Sequence, residues 1–478
     1  MAAEAAGVPA VVNTCEGFKA QAGEIAAMGG MPWLPVVYYP GHIDTYSLEQ
    51  RETYISELVG PGNEEAVTTQ IEAAAAAGVE EPPETDVVFT GTWLEVLNHY
   101  NHELWSDKLP IIPPAKERIE EFLKYTDYPA DAVLTRVLEP SYRQATPWTV
   151  AVNGVMAGCR PEYMPVLIAI TKCLAEENFR CQDSSSTPGW EPVIFLNGPI
   201  IKQLGFNYGA GVLNSGWQGN STVGRFWKLF QRNVLGIRVE ITDKGTFGQS
   251  WNAVVAEDEG YCELIGWNPL HVQRGFNPDD NVVTMQSNVS SSIPSYSVGA
   301  TAEEHLHVLA RWWARCQGDW WVLGMRSQAW EPMIVMAPFV AEVISKGGYS
   351  KEDVLQYFYE NCLSKASDCT HTYGTENVYD FSASCANGEF RAGVPIPEAY
   401  CESEDPDRLI PIFVKDQLGL VVSGDAARNQ SRLMHQNHGQ GRRTSMEIEL
   451  PENWDALYND SQLKKDLEEN IARGLLYL

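Results

Sequence analysis

The chain is poor in basic residues: 34 Lys and Arg stand against 63 Asp and Glu, a net charge of −29. Such a surface repels nucleic acid and anionic membranes. The densest basic spot is Arg442–Arg443, with Arg428 and Arg432 upstream. No apolar run reaches the ~18 residues of a membrane span. The opening residues, MAAEAAGVPAVVNTC, lack a basic stretch and a cleavage pattern, so no secretion signal is expected. None of the ten cysteines has CxxC spacing, which argues against a zinc ribbon or a thioredoxin-type site. Reduced thiols in the cytoplasm are the expectation. HExxH, GK[ST] and a clean dinucleotide fingerprint are missing too.

What is present belongs to a globular enzyme-sized chain. Its 478 residues are 44% hydrophobic and include 15 Trp, 20 Tyr and 15 Phe, enough for two or three cored domains. Residues 8–78 alternate: VPAVVNTC and LPVVYYPG read as strands, EGFKAQAGEIAAMGG and SLEQRETYISEL as helices, with Ser47 as a cap. That order predicts a parallel sheet. Residues 79–88 read as a linker, 92–105 as helical, and the prolines of SDKLPIIPPAKERIEEF as an extended arm before a charged helix. The expectation is an α/β protein. Residues 1–80 form an incomplete doubly wound parallel-sheet domain, 81–147 a linker and helical arm, and 148–478 a larger α/β domain bearing the pocket.

That larger domain contains an echo. WEPVIFLNGPIIKQLGF begins at 190 and WEPMIVMAPFVAEVISKGG at 330. Both read as strand, proline turn and helix, which suggests internal duplication. Ligands of open α/β sheets bind at such strand ends.

Two stretches carry candidate chemistry. In VNGVMAGCRPEYMPV (152–166), Gly158 and Pro161 bracket Cys159 and Arg160. Pro161 suits a first helical position and Glu162 a first turn. A thiol at a helix N-terminus beside a guanidinium has a lowered pKa, so Cys159 is the candidate nucleophile and Arg160 its stabiliser. The apolar run before them fits a buried strand or the end of a buried helix. The second stretch, NGPIIKQLGFNYGAGVLNSGWQGNSTVGRFW, is a glycine-rich loop running into a helix that Asn220 or Ser221 would cap. Such loops offer N–H groups to anions. Glu162, Tyr163, Asn197, Gly198, Asn207, Asn220, Ser221 and Arg225 are the candidate substrate-binding residues. Among the histidines, His305 and His307 are two apart on a predicted helix and face away from each other, whereas His435 and His438 lie in a predicted loop.

DKLPIIPPAKERIEEFL, VNGVMAGCRPEYMPV, the 197–225 loop and GGYSKEDVLQYFYEN together resemble a bacterial family found beside, or fused to, a domain with a selenocysteine-or-cysteine-Gly-Ser-Cys motif. The resemblance covers most of residues 107–360. The first 60 residues are similar to the part of that domain after its motif, and so to the redox domain of glycine and betaine reductase protein B. There a selenolate or thiolate displaces a heteroatom group from carbon, and a second thiol resolves the adduct. The motif itself would lie just before residue 1. The resemblance therefore implies a homo-oligomer or a small partner chain that supplies it. The expected function is an enzyme acting on a small polar or anionic molecule by thiolate chemistry, either carbon–heteroatom cleavage or thiol-based reduction. The rivals are a metal-dependent lyase or hydrolase, and a non-catalytic subunit completing a partner's redox site. No motif names a cofactor.

Overall fold

The structure is a computed structural model that describes residues 2–42, 45–69, 85–239, 241–249, 254–316, 320–369, 382–391 and 393–474. The linker expected at 79–88 lies mostly outside them.

The N-terminal part holds α1 (Ala2–Ala5), β1 (Val12–Cys15), α2 (Lys19–Met28), β2 (Val36–Tyr39), α3 (Leu48–Tyr54) and α4 (Gly60–Thr68). As expected, β1 and β2 pair in parallel, with Val12 opposite Val36. Ser47 caps α3 in a reciprocal box with Gln50. Among the described residues no third strand joins this pair.

The arm carries α5 (Trp93–His102) and α6 (Lys116–Leu123). It is built into the body: Tyr100, Ile119 and Phe122 are buried in the same core as α7 (Pro147–Ala157) and α8 (Met164–Ala175). Gly154 of α7 is the point of closest approach. A Cβ there would stand 2.7 Å from Leu167 and 2.9 Å from Phe122.

The body follows as β3 (Glu191–Asn197), α9 (Ile200–Leu204), α10 (Gln218–Phe230), β4 (Val254–Ala256), α11 (Glu259–Ile265), α12 (Leu270–Gln273), β5 (Val282–Asn288), β6 (Ser290–Ser291) and β7 (Ser295–Tyr296). Then come α13 (Ala302–Cys316), α14 (Trp320–Ser327), β8 (Met333–Met336), α15 (Pro338–Lys346) and α16 (Lys351–Asn361). A small outlying region contains β9 (Leu363–Lys365), α17 (Ser382–Asn387), β10 (Glu389–Arg391), β11 (Val394–Pro395) and β12 (Leu409–Pro411). The chain closes with β13 (Gly419–Val422), β14 (Gln430–His435), β15 (Thr444–Glu447), α18 (Trp454–Asp460) and α19 (Gln462–Ala472).

The two Trp-Glu-Pro strands, β3 and β8, hold the same place in two sheets of the same plan. One sheet runs β15-β5-β3-β4, the other β6/β7-β14-β8-β13. In each, the Trp-Glu-Pro strand has a parallel neighbour (β4 or β13) and an antiparallel one (β5 or β14). The outer strands are exchanged. β6 and β7 follow β5 but pair with β14, while β15 follows β14 but pairs with β5.

Strand alternation then builds four layers. Val193, Phe195 and Val255 of one sheet meet Met333, Val335, Val421 and Met434 of the other in a shared apolar layer. The alternate residues face outward: Ile194 and Leu196 join the α7–α8–α10 core, and Ile334, Met336 and Leu433 join the core of α13–α16. Each such buried side chain contributes about 1.5–3 kcal/mol.

One cysteine expectation is overturned. Cys385 and Cys401 form a disulfide across the outlying region, with Cα atoms 5.6 Å apart. The sequence separation of 16 gave no spacing signal for it.

Candidate functional site

The run before Cys159 is a helix, α7, opened by the Thr146 capping box and Pro147. It is closed by Gly158 at φ 84°, a left-handed conformation that suits glycine. Pro161 opens the next turn as expected, and α8 follows. Cys159 therefore sits between two helices. Its residue is only 7% exposed. Burial pushes the thiol up to about 12, outweighing the Thr222 hydroxyl and the Arg225 charge. This corrects the expectation of a lowered pKa, because the desolvation cost of an anion exceeds what a nearby cation returns. Arg160 is no companion to the sulfur either: its Nε donates to Gln218 Oε1 (2.8 Å) and its Nη2 to Asp466 Oδ2 (2.5 Å).

The loop and the cysteine do come together. Gln218, Thr222 and Arg225 recur at helical spacing on α10, and they meet Arg160, Cys159 and Asp107 respectively. Arg225 is bidentate to Asp107, with both bonds at 2.8 Å. Neither Asn220 nor Ser221 caps this helix, which starts at Gln218 after an uncapped Trp217. Instead Asn220 is a buried clip: its Oδ1 accepts from the Asn207 N–H, and its Nδ2 donates to the carbonyls of Asn207 and Val254. Asn220→Ala is expected to cost about 2–3 kcal/mol, since it strands buried backbone groups. Urea unfolding of the variant measures it. The other predicted residues make contacts within the chain. Ser221 Oγ accepts from Gly216 N–H, Glu162 Oε1 from Leu463 N–H, and the buried Tyr163 ring lies 5.5 Å from that of Phe206.

Asn197 and Gly198 lie at the C-terminal end of β3. Asn197 Nδ2 donates to Glu257 Oε2 (2.8 Å) and Glu259 Oε1 (2.9 Å), and Gly198 N–H donates to Glu259 Oε1 (2.8 Å). A Cβ on Gly198, at φ 98°, would fall 2.4 Å from the Asp280 carbonyl. The Glu257 carboxylate also receives Lys351 Nζ (3.0 Å), Leu270 N–H (2.6 Å) and Val422 N–H (3.1 Å). Glu257 and Lys351 side chains are both fully buried. This knot ties the end of β4 to β13 and to the start of α16.

A cavity lies elsewhere, where the sheets exchange their outer strands. It measures about 570 Å³, within the usual size range of ligand sites. Its walls include Gln249, the Ser290–Ser292 run, Cys316, Trp320 and His435. His435 ends β14 rather than lying in a loop, and it is 5% exposed. Its Nδ1 is 3.0 Å from Ser290 Oγ, while its Nε2 is buried without a hydrogen-bond partner. Burial lowers its pKa to about 4, so the imidazole is neutral at pH 7. Cys316 ends α13. It is the one free cysteine not buried among those whose side chains are described. Partial burial raises its thiol pKa. Further unpartnered buried atoms belong to residues near these strand ends: Gln286 Nε2, both amide atoms of Asn288, and Asn437 Oδ1.

Sequence reasoning weighed His435 only as a metal ligand and passed over Cys316 and the serines. The available signal was a serine-rich turn, NVSSSIPSYS, directly after an apolar strand. Among the described residues no three His, Cys, Asp or Glu side chains converge as a metal site. His305 is a bonded core residue, 2.8 Å from Ser297 Oγ, and His307 on the same helix is exposed. No described helix is long and apolar enough to cross a membrane. No family model, curated protein or solved structure matches the chain.

Proposed function

We propose that the chain is an enzyme acting on a small polar or anionic molecule by cysteine chemistry, with Cys316 in the role first given to Cys159. The supporting observation is that Cys316 and His435 both line one ligand-sized cavity. The reaction class is carbon–heteroatom cleavage or thiol-based reduction. In the cleavage form, the Cys316 sulfur–carbon bond forms as the carbon–heteroatom bond breaks, and the thiol proton leaves with the heteroatom group. A neutral imidazole suits a polarising role, since it adds no charge to the site. The motif resemblance to the Cys-Gly-Ser-Cys-associated family supports the thiol class. The two-stranded β1–β2 sheet supports a second copy or a small redox chain as the partner.

The test is incubation with small alkyl halides, thioesters and low-molecular-weight disulfides, followed by peptide mass spectrometry. The adduct is expected on Cys316 and lost in Cys316→Ala. An adduct carried by another cysteine, or unchanged in that variant, overturns the reading.

A further inference from the structure

The described cysteines divide by access. All the free ones except Cys316 are buried, whereas the bridged pair lies nearer the surface: Cys401 is exposed and Cys385 half-buried. The bridge holds a small excursion of the chain. No residue of α17, which carries Cys385, is buried. The β10–β11 pair that follows is two short strands with a register shift, Glu389 opposite Pro395 and Arg391 opposite Val394. A two-stranded pair of that kind is marginal in water on its own. Phe390, Ile396 and Ala399 rest on the α13–α16 core but are only partly buried. At the other end the chain is fixed. Tyr400, next to Cys401, is 1% exposed. Its hydroxyl donates to the Pro411 carbonyl (2.9 Å), and its own carbonyl accepts from Arg408 Nη2 (3.3 Å). The disulfide therefore ties a lightly held segment to a firmly seated residue.

We infer that the Cys385–Cys401 bridge is a redox-sensitive clasp. A dithiol reductant opens it in the folded protein, and α17 and the β10–β11 pair then leave the surface while Tyr400 stays seated. Closing a loop of this length favours the ordered form by roughly 100-fold, which is decisive for a segment whose own contacts are marginal. The step is a thiol–disulfide exchange. One thiolate of the reductant attacks Cys401, the more exposed partner. The new sulfur–sulfur bond forms as the old one breaks, and Cys385 leaves and takes up a proton. The second thiol of the reductant then attacks the mixed disulfide. The reductant ends oxidised, and both cysteines end as thiols.

The test uses the full chain, purified without reductant and then treated with dithiothreitol in native buffer. Timed trapping with iodoacetamide and peptide mass spectrometry follow each cysteine. Cys385 and Cys401 are expected to take label while the buried Cys159 and Cys173 stay unlabelled. Chymotryptic cleavage after Phe390 is expected to rise at least about 30-fold on reduction, since cleavage tracks the population of the open segment. The double variant Cys385→Ser, Cys401→Ser should be cut at the raised rate with or without dithiothreitol, which separates the bridge from any other effect of the reductant. Labelling of the pair only together with the buried cysteines, or cleavage after Phe390 unchanged by dithiothreitol, overturns the inference. So does a pair found as free thiols that oxidised glutathione fails to close.

Discussion

Iodoacetamide at pH 7.5 is expected to label Cys316 at least about 100-fold faster than Cys159. The thiolate is the attacking species. Raising a thiol from 9.0 to about 12 lowers its thiolate fraction near neutrality by about 10³. The smaller rise at Cys316 returns part of that margin. Access restores it, because Cys159 is buried in the α7–α8–α10 core and its sulfur is reached only when that core opens. Mapping labelled peptides against time gives both rates. Comparable rates would mean that the α7–α8 junction is open in solution. The same burial has a pH signature. As pH rises from 9 toward 12, the unfolded chain gives up the Cys159 proton while the folded chain keeps it. The thiol's stabilising contribution is complete below pH 9 and is lost above it.

Lys351→Met is expected to cost about 3–5 kcal/mol, the usual loss when one partner of a fully buried ion pair is removed. Both side chains have zero exposure, and Nζ also donates to the Asn268 carbonyl at 3.0 Å. Methionine fills the volume of the lysine stem, so the loss reports the stranded carboxylate rather than a cavity. Changing Glu257 to Gln in the same chain removes that charge and should recover part of the loss. Recovery is only partial, because Asn197 Nδ2 and Leu270 N–H donate to one oxygen, Val422 N–H and the Cys262 thiol to the other, and the glutamine NH2 must face one of these sets of donors. Urea denaturation of the two single variants and the double variant closes the cycle. A single-variant loss under about 1 kcal/mol would mean that water reaches Glu257.

Local grammar made much of the fold legible. Ser47 and Gln50 mark a helix start within four residues, and the repeated Trp-Glu-Pro fixes two strand–turn–helix units. Pairing across distance was not legible. Thr444–Glu447 is four residues with no apolar run, and only its partner Val282–Met285 makes it a strand. The apolar stretch 147–157 satisfies strand and helix patterns alike until Thr146 and Gly158 are seen as its caps. The site was harder still. Neighbours in sequence suggested a cationic environment for Cys159, but burial is a property of the whole core. Arg160 is claimed by Asp466, 306 residues away. Cys316 and His435 ended different elements, and nothing local announced that they would share a cavity.

The exchanged outer strands also set a timetable for synthesis. The first sheet has β3, β4 and β5 once residue 288 has left the ribosome, yet its outer strand arrives only with residues 444–447. At roughly 5–20 residues per second, the edge of β5 stays bare for about 10–30 s, long enough for nascent chains on one messenger to meet. The half made first is thus the half completed last, and a ribosome stalled between residues 288 and 444 would hold out a sticky, unfinished sheet.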